Sequence, residues 1–332
     1  MTAPTPSRVS GPAPPPTIAV IGAGEIGRGW AALAAAHGWP VTIFDTDVTA
    51  GDAAMTEIAA RIRALVSLGR AAPHLAEAGL AALQTGTSLL QVCAAADWVI
   101  ESIGEDLAQK QRLFENLDSL AQRAAVISSS SSGLPMTEIG ARCRDQKRLI
   151  VVHPLNPPEL IPLVEVVPGK FTAPQTVDMA SSWLRTLGRI PIALKREVPG
   201  NVVGRIAAAV YRECIDLALT GVVDVDEIDR AVSLGPSLGW AAAGPHLTYH
   251  LSAGERGLSA FLQGLLQSFE AWWASLAQWT KLEPEQVKAL TALVEKSYGN
   301  KLEDIREARD RRLALFLKAL ETSRRPSEIA KR

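Results

Sequence analysis

One histidine and one glutamate interrupt two otherwise apolar runs in the segment VVHPLNPPELIPLVEVV, residues 151–167. Acid–base chemistry at a carbon–oxygen bond needs a group that accepts and returns a proton, and the imidazole of His153 suits this because its pKa lies near neutrality. Glu165 has apolar neighbours on both sides, where an unpaired carboxylate would cost free energy. A hydrogen bond between the two would remove that cost and orient the ring, so the sequence predicts an acid–base pair. A buried histidine without a catalytic role is the alternative that these residues alone leave open.

A cluster of glycines stands between two apolar runs near the start of the chain. Gly22, Gly24 and Gly27 follow the run TIAVI and open an Ala-rich segment, and the next apolar run ends at Asp45. This order of strand, turn, helix and strand is the dinucleotide-binding fingerprint. In it the first glycine allows the tight turn, the second lets the backbone approach a pyrophosphate, and the third lets the helix pack closely on the strand. A plain glycine turn in an α/β protein is the alternative.

The same segment predicts which dinucleotide binds. A pyrophosphate would rest on the N-terminus of the Ala-rich helix, at the amides of Glu25 and Ile26. The carboxylate of Asp45 would accept a hydrogen bond from a free ribose 2′-hydroxyl and would repel a 2′-phosphate. Asp47 adds a second negative charge and no arginine stands nearby, so we predict NAD as the cofactor in preference to NADP.

Apolar runs alternate with helical segments from Thr17 to about residue 196. This alternation predicts an α/β domain with a Rossmann-like, doubly wound sheet, which binds its ligands at the carboxyl ends of the strands. The segment 71–91 is weakly specified and is expected to be helical or irregular. From Asn201 onward only helical periods occur, which predicts an all-α C-terminal domain. The expected organisation is a disordered Pro-rich tail over 1–16, an NAD-binding domain over 17–198 and a helical domain over 199–332.

The charge balance argues against several classes of function. Basic and acidic residues number 34 and 35, whereas proteins that bind nucleic acids or membrane surfaces need a basic excess. No apolar run reaches the roughly 18 residues that a membrane helix requires. The three cysteines are dispersed and no secretory signal is visible, so we expect a cytoplasmic protein. His246 and His250 have no third ligand nearby, and no metal site is predicted.

Several motifs, taken in order, resemble the 3-hydroxyacyl-CoA dehydrogenase family. They are the glycine fingerprint, VIESIGEDLAQKQRLFENLD, the serine run 128–132, HPLNPP and LVEVV, and the resemblance covers about residues 17–255. SSSSSGL and HPLNPP with IPLVEVVPG are most similar to the branch that includes L-gulonate 3-dehydrogenase (lambda-crystallin) and carnitine dehydrogenase. The resemblance implies an NAD-dependent oxidoreductase that interconverts 3-hydroxy and 3-keto groups on a small acid or acyl thioester. It also implies a homodimer formed through the helical domain.

The resemblance assigns roles to individual residues. The family's catalytic histidine matches His153, and the glutamate that orients it matches Glu165. The family's substrate-contacting serine, counted back from the histidine, matches Ser132. Lys110 matches a family lysine that lies near cofactor or substrate, and with Glu101 of the same motif it is expected to contribute to cofactor binding.

Two departures from the family concern the substrate. The family has an asparagine where PGNVVGR places Gly204, although Asn201 stands about one helical turn earlier. The small-acid branch has an arginine where this chain has Gly239, beside Trp240, and its loss indicates a larger or less anionic substrate. The candidate substrate contacts are Ser130, Asn156, Asn201 and Trp240.

Two alternative functions stay open. The chain could be a ketoreductase that acts on a bulky β-keto, polyketide-like intermediate, which Gly204, Gly239 and the Trp-rich second domain favour. It could also be a non-catalytic NAD-binding structural protein, a use that the loss of the family asparagine favours and the presence of both His153 and Glu165 argues against.

Overall fold

A computed structural model describes residues 14–299 and 302–323 of the chain. The chain divides into two compact units between Arg205 and Ile206. Most of the predicted Pro-rich tail, residues 1–13, lies outside the described residues. Within the described ranges no helix combines the length and the apolarity needed to cross a membrane.

The strands of the described residues form one eight-stranded sheet in the first unit. They are β1 (Ile18–Ile21), β2 (Val41–Phe44), β3 (Leu83–Thr85), β4 (Trp98–Glu101), β5 (Val126–Ser129), β6 (Leu149–Pro154), β7 (Leu163–Pro168) and β8 (Ile190–Ala193). Their order is β3-β2-β1-β4-β5-β6-β7-β8. The chain reverses direction across the sheet between β1 and β4, and this switch point opens a crevice at the carboxyl ends of the strands. The order confirms the predicted Rossmann-like, doubly wound sheet.

Helices flank the sheet, and their bounds follow the sequence pattern closely. Those of the first unit are α1 (Glu25–Ala36), α2 (Val48–Ser67), α3 (Pro73–Ala82), α4 (Leu89–Ala94), α5 (Leu107–Leu120), α6 (Met136–Ile139) and α7 (Pro174–Thr186). The next helix, α8 (Val203–Leu219), begins in the first unit and continues into the second.

One feature of the sheet differs from the prediction, and the direction of one strand was not predicted. The segment 71–91, expected to be helical or irregular, contains the strand β3, which pairs in parallel with β2. This strand has three residues and two of them are exposed, so it leaves almost no apolar pattern in the sequence. β7 pairs antiparallel with β6, because the short connection between them has no helix to carry the chain back to the other end of the sheet.

Three tryptophans on one side of the sheet link its helices to its strands. Trp98 of β4 packs edge-on against Trp30 of α1 at 6.0 Å and stacks on Trp183 of α7 at 5.3 Å. The indole N–H of Trp98 donates to the Ser128 hydroxyl at 2.9 Å, and that of Trp30 donates to the Ser130 hydroxyl at 3.1 Å. Buried indoles need such acceptors, and the serines that follow the apolar part of β5 provide them.

The second unit is helical, as predicted for the C-terminal domain. After α8 it contains α9 (Val225–Leu234), α10 (Pro236–Ala243), α11 (Pro245–Ser252), α12 (Gly257–Ser275), α13 (Pro284–Tyr298) and α14 (Leu302–Thr322). Among its described residues few apolar side chains are buried, namely Ile215, Ala218, Ile228, Ala277 and Leu317. Large apolar side chains are exposed on most of its helices.

The contact between α1 and α3 gives a test of the fold. A Cβ atom at Gly79 would lie 1.8 Å from the carbonyl oxygen of Ala35, so the Gly79→Ala change must push the two helices apart. We expect it to lower the free energy of unfolding by about 1–3 kcal/mol, the usual range for overpacking. In α2 a Cβ at Gly51 would meet its nearest atom at 4.0 Å. Urea unfolding should show Gly51→Ala, the matched control, unchanged or stabilised by up to about 1 kcal/mol. Equal effects of the two changes would contradict this packing.

Candidate active site

The glycine turn leaves room for a ligand at one of its three glycines. Gly22 has a φ of +106°, and a Cβ there would lie 2.6 Å from the carbonyl oxygen of Ser102. A Cβ at Gly27 would lie 2.0 Å from the carbonyl oxygen of Gly22, so this position must be glycine for α1 to approach β1. A Cβ at Gly24 would meet nothing within 4 Å. The backbone at Gly24 therefore faces open space.

The helix that follows the turn presents its N-terminus to that space. Gly24 is the N-cap of α1, and no side chain caps the helix. The first-turn amides, starting at Glu25 and Ile26, thus carry the positive end of the helix dipole without a capping oxygen, and this favours a pyrophosphate. The side chain of Glu25 is held away by Arg61, whose Nη2 lies 2.7 Å from Oε2.

A cleft of about 610 Å³ lies over the turn, and Asp45 forms part of its wall. The Asp45 carboxylate accepts the amide N–H of Ala23 at 2.7 Å and that of Asp47 at 3.0 Å, which fixes it at the end of β2. Phe44 and Leu89 add apolar surface to the same cleft. An open glycine, an uncapped helix N-terminus and an oriented carboxylate are the groups that a dinucleotide requires, so the residues present fit NAD.

His153 and Glu165 face each other across the antiparallel pair β6 and β7. They are directly opposed in the strand register, and Nδ1 of His153 lies 2.9 Å from Oε2 of Glu165. Both side chains are buried, with exposed fractions of 11% and 1%. The strand register builds this contact, because directly opposed residues project from the same face of a sheet.

The second carboxylate oxygen of Glu165 holds the start of α8. Oε1 accepts the amide N–H of Val202 at 2.8 Å and that of Val203 at 3.0 Å. Burial, the largest influence, raises the pKa of the Glu165 carboxyl, but the hydrogen bonds from His153 and the two amides outweigh it and leave the pKa below its ordinary value. The carboxylate is therefore ionised at neutral pH. Its contribution to stability is lost only as the pH falls through the lowered pKa.

The serine run uses most of its hydroxyls inside the protein. Ser128 accepts from an indole N–H, and Ser129 and Ser131 each donate to a glutamate carboxylate. Ser132 is exposed, and among the described residues its hydroxyl makes no hydrogen bond. Its carbonyl oxygen accepts from Nδ2 of Asn201 at 3.4 Å. Asn201 has a left-handed φ of +48° and lies in the segment that begins α8.

Glu101 and Lys110 form a buried ion pair that supports the serine run. Nζ of Lys110 lies 2.6 Å from Glu101 Oε1 and 3.5 Å from Glu105 Oε2. The other oxygens of the two glutamates accept the hydroxyls of Ser129 and Ser131, each at 2.5 Å. Glu101 and Lys110 are 0% and 1% exposed, and neither lines the cleft. The structure thus gives both residues a supporting contact within the protein.

The remaining predicted residues are scattered. The Ser130 hydroxyl lies 3.0 Å from that of Ser102, which lines the cleft. Asn156 is exposed in the connection between β6 and β7. Trp240 lies on α10 of the second unit, half-buried. At Gly204, where the family has asparagine, a Cβ would meet nothing within 4 Å.

Sequence reasoning missed the wall that α5 contributes to the cleft. Gln109, Arg112, Leu113 and Asn116 line it. Their spacing of i, i+3, i+4 and i+7 is that of one helix face, and it was visible in the sequence. Because three of the four are polar, the pattern resembles a solvated face and gave no reason to place it in a site.

Comparisons with known proteins match both parts of the chain to one family. Residues 17–198 match the model of the 3-hydroxyacyl-CoA dehydrogenase NAD binding domain, and residues 200–291 match that of the family's C-terminal domain. The chain belongs to the 3-hydroxyacyl-CoA dehydrogenase family. As a member of this family it is an NAD-dependent oxidoreductase that acts on a CH–OH group of a small molecule.

Relatives within the 3-hydroxyacyl-CoA dehydrogenase family cover almost the whole chain. L-carnitine dehydrogenase of Streptomyces griseus is 38% identical over 327 residues, 95% of this chain and 93% of that protein. L-carnitine dehydrogenase of Burkholderia mallei is 41% identical over 266 residues, 78% of this chain and 80% of that protein. The solved structure of 5-formyl-3-hydroxy-2-methylpyridine 4-carboxylic acid 5-dehydrogenase, described as an NAD⁺-dependent dismutase, is 28% identical with a TM-score of 0.78. The superposition covers 93% of this chain and 100% of the dehydrogenase chain.

The buried ion pair gives a test that separates support of the fold from cofactor binding. Lys110→Met leaves the Glu101 carboxylate buried without its partner, and we expect the free energy of unfolding to fall by about 3–5 kcal/mol. Adding Glu101→Gln should restore part of this loss, because the uncompensated charge is then gone. The matched control Lys147→Met, at an exposed lysine, should change stability by less than about 0.5 kcal/mol. Urea unfolding measures all three, and a stable Lys110→Met variant that has lost NAD affinity would contradict the supporting role.

Proposed function

We propose that the protein interconverts a 3-hydroxy and a 3-keto group on a small acid or its acyl thioester, with His153 as the acid–base group. The observation that carries this proposal is the buried contact between His153 and Glu165 at the end of β6. It lies at the carboxyl end of a strand in a Rossmann-like sheet, where such folds bind their ligands.

The hydrogen bonds of Glu165 support one tautomer of His153. The carboxylate is ionised and can only accept, so Nδ1 of the imidazole carries the proton that it shares with Oε2. Nε2 is then the basic nitrogen, and it accepts the hydroxyl proton during oxidation and returns it during reduction. The negative charge of Glu165 stabilises the imidazolium that forms.

Two further groups support positioning of the substrate oxygen. Ser132 is the member of the serine run whose hydroxyl is exposed without a partner among the described residues. We assign it a hydrogen bond to the reacting oxygen. Asn201 fixes the backbone of Ser132 through its carbonyl oxygen, so the family asparagine missing at Gly204 is replaced by a residue that acts on the serine instead of on the substrate.

The glycine turn, the N-terminus of α1 and Asp45 hold NAD, which when bound supplies the group that accepts or donates the hydride. The protein's own residues therefore need to move only one proton, between the substrate oxygen and Nε2 of His153.

His153→Gln tests the proposed mechanism. We expect kcat to fall by roughly 10²- to 10⁴-fold, the usual contribution of a positioned acid–base group, while the NAD dissociation constant stays within twofold. Stopped-flow or steady-state assays give the rate, and calorimetric titration gives the affinity. The control His74→Gln changes an exposed histidine of α3 and should leave both values unchanged. Turnover of the His153→Gln variant within a few-fold of the unmodified protein would refute the mechanism.

The choice of substrate follows from the relatives and needs a panel to test it. Two of the relatives named above are L-carnitine dehydrogenases, which supports a small 3-hydroxy acid as the first candidate. Gly239 stands where that branch has arginine, which favours a less anionic compound. The candidate substrates can be compared by their initial rates. The panel contains L-carnitine, L-gulonate, 3-hydroxybutyryl-CoA and larger β-keto compounds. A clear preference for the bulky ketones would replace this proposal by the ketoreductase alternative.

We also propose that the chain forms a homodimer through its helical unit. On α12 the apolar side chains Leu262, Leu265, Leu266, Phe269, Trp272 and Trp273 form a continuous stripe, and both tryptophans are 54% exposed. An exposed apolar stripe of this length is typical of a subunit interface. Few apolar residues are buried within the described part of this unit, so a second copy supplies the core that it lacks.

Light scattering at micromolar concentration tests the dimer. We expect twice the 35.4 kDa mass of one chain. The paired change Trp272→Lys and Trp273→Lys places two charges in the apolar stripe and should shift the mass towards one chain. Phe171→Lys is the control, because Phe171 is an apolar residue of the first unit that is 52% exposed. This change should leave the dimer intact. A monomer without any substitution would overturn the proposal.

A further inference from the structure

The α5 wall of the cofactor cleft carries a charged group that the glycine fingerprint does not include. Gln109, Arg112, Leu113 and Asn116 line the cleft from one face of this helix. Arg112 is exposed, so its guanidinium is accessible to a ligand in the cleft.

The acidic side chains of α5 and of its N-cap are engaged with other groups. Asp106 caps α5, where its carboxylate accepts a backbone amide at 2.8 Å. Glu115 and Asp118 pair with other arginines, at 4.0 and 2.9 Å. Among the described residues no carboxylate forms an ion pair with Arg112. A guanidinium on the cleft wall thus has no ion-pair partner within the part of the chain that the structure describes.

The topology indicates which part of the cofactor lies beside this guanidinium. β1 lies between β2 and β4, so the residues that follow β2 and those that follow β4 form the two walls of one crevice, and a base bound between them contacts both. Asp45 ends the β2 side, and α5 follows β4. In a dinucleotide fingerprint the carboxylate after the second strand takes the adenosine ribose, so the adenine lies near Asp45. Phe44, Leu89 and Leu113 provide apolar surface there, as a flat base requires.

We propose that Arg112 binds the adenosine half of NAD, with its guanidinium plane against the adenine ring. A guanidinium is planar and weakly hydrated, and it binds the face of an aromatic ring by cation–π attraction. The pyrophosphate already has donors at the N-terminus of α1, and the charge of Asp45 opposes a 2′-phosphate. Among the described residues that line this cleft, Arg112 carries the one cationic side chain, and it stands beside the apolar Leu113. The proposal depends on NAD alone and is independent of the role of His153.

Binding measurements test this without turnover. Calorimetric titration with AMP, NAD and nicotinamide mononucleotide separates the two halves of the cofactor. Arg112→Met keeps an unbranched apolar side chain and removes the planar cation. We expect it to weaken the binding of AMP and of NAD by roughly 3- to 30-fold. Nicotinamide mononucleotide should bind as before. Arg112→Lys keeps the charge but not the plane, and it should recover less than half of the lost affinity.

The matched control is Arg123→Met, at an exposed arginine outside the cleft. It should bind all three ligands like the unmodified protein. AMP affinity of Arg112→Met within twofold of this control would overturn the proposal. Full recovery of AMP affinity in Arg112→Lys would overturn the planar contact. Equally weakened binding of nicotinamide mononucleotide by Arg112→Met would contradict a contact with the adenosine half. Thermal melts that match the control confirm that each variant is folded.

Discussion

The carboxylate of Glu165 is the group on which the proposed site depends, because both of its oxygens are used. One oxygen holds Nδ1 of His153 and the other holds two amides at the start of α8. A buried carboxylate would be costly if either oxygen were unpaired. The same bonds that satisfy it keep it ionised, fix the tautomer of the imidazole and position the segment that reaches the serine run. One side chain therefore sets the local backbone geometry and would also set the proposed acid–base chemistry.

A second buried charge pair gives the serine run its rigidity. Glu101 and Lys110 neutralise each other, and the two glutamates beside that lysine take up the hydroxyls of Ser129 and Ser131. Such a network favours one loop conformation because every alternative would leave a buried group without a partner. The loop can then present Ser132 to solvent while its neighbours stay fixed. Preorganisation of this kind is what a proton transfer at a defined oxygen requires.

Local pattern and register explain how much of this could be predicted from the sequence. The glycine turn was predictable because its glycines lie within six residues of each other, directly between an apolar strand and a helix, and Gly27 packs on the carbonyl oxygen of Gly22. The proximity of His153 and Glu165 was predictable because both interrupt apolar strands that are consecutive in the chain. The strand β3 was missed, since three largely exposed residues at a sheet edge carry no period. The antiparallel direction of β7 and the burial of Lys110 depend on contacts between segments, and no periodicity encodes them.

The tryptophan stack has a consequence for spectroscopy. The indole of Trp30 donates to Ser130, whose hydroxyl lies against that of Ser102 in the cleft wall. Trp30 also packs edge-on against Trp98, which stacks on Trp183. Excitation absorbed anywhere in this series can pass to the indole next to the cleft. The intrinsic tryptophan fluorescence of the protein should therefore be quenched when NADH, whose reduced nicotinamide absorbs light, is bound. Its fluorescence can thus report cofactor binding without an added label.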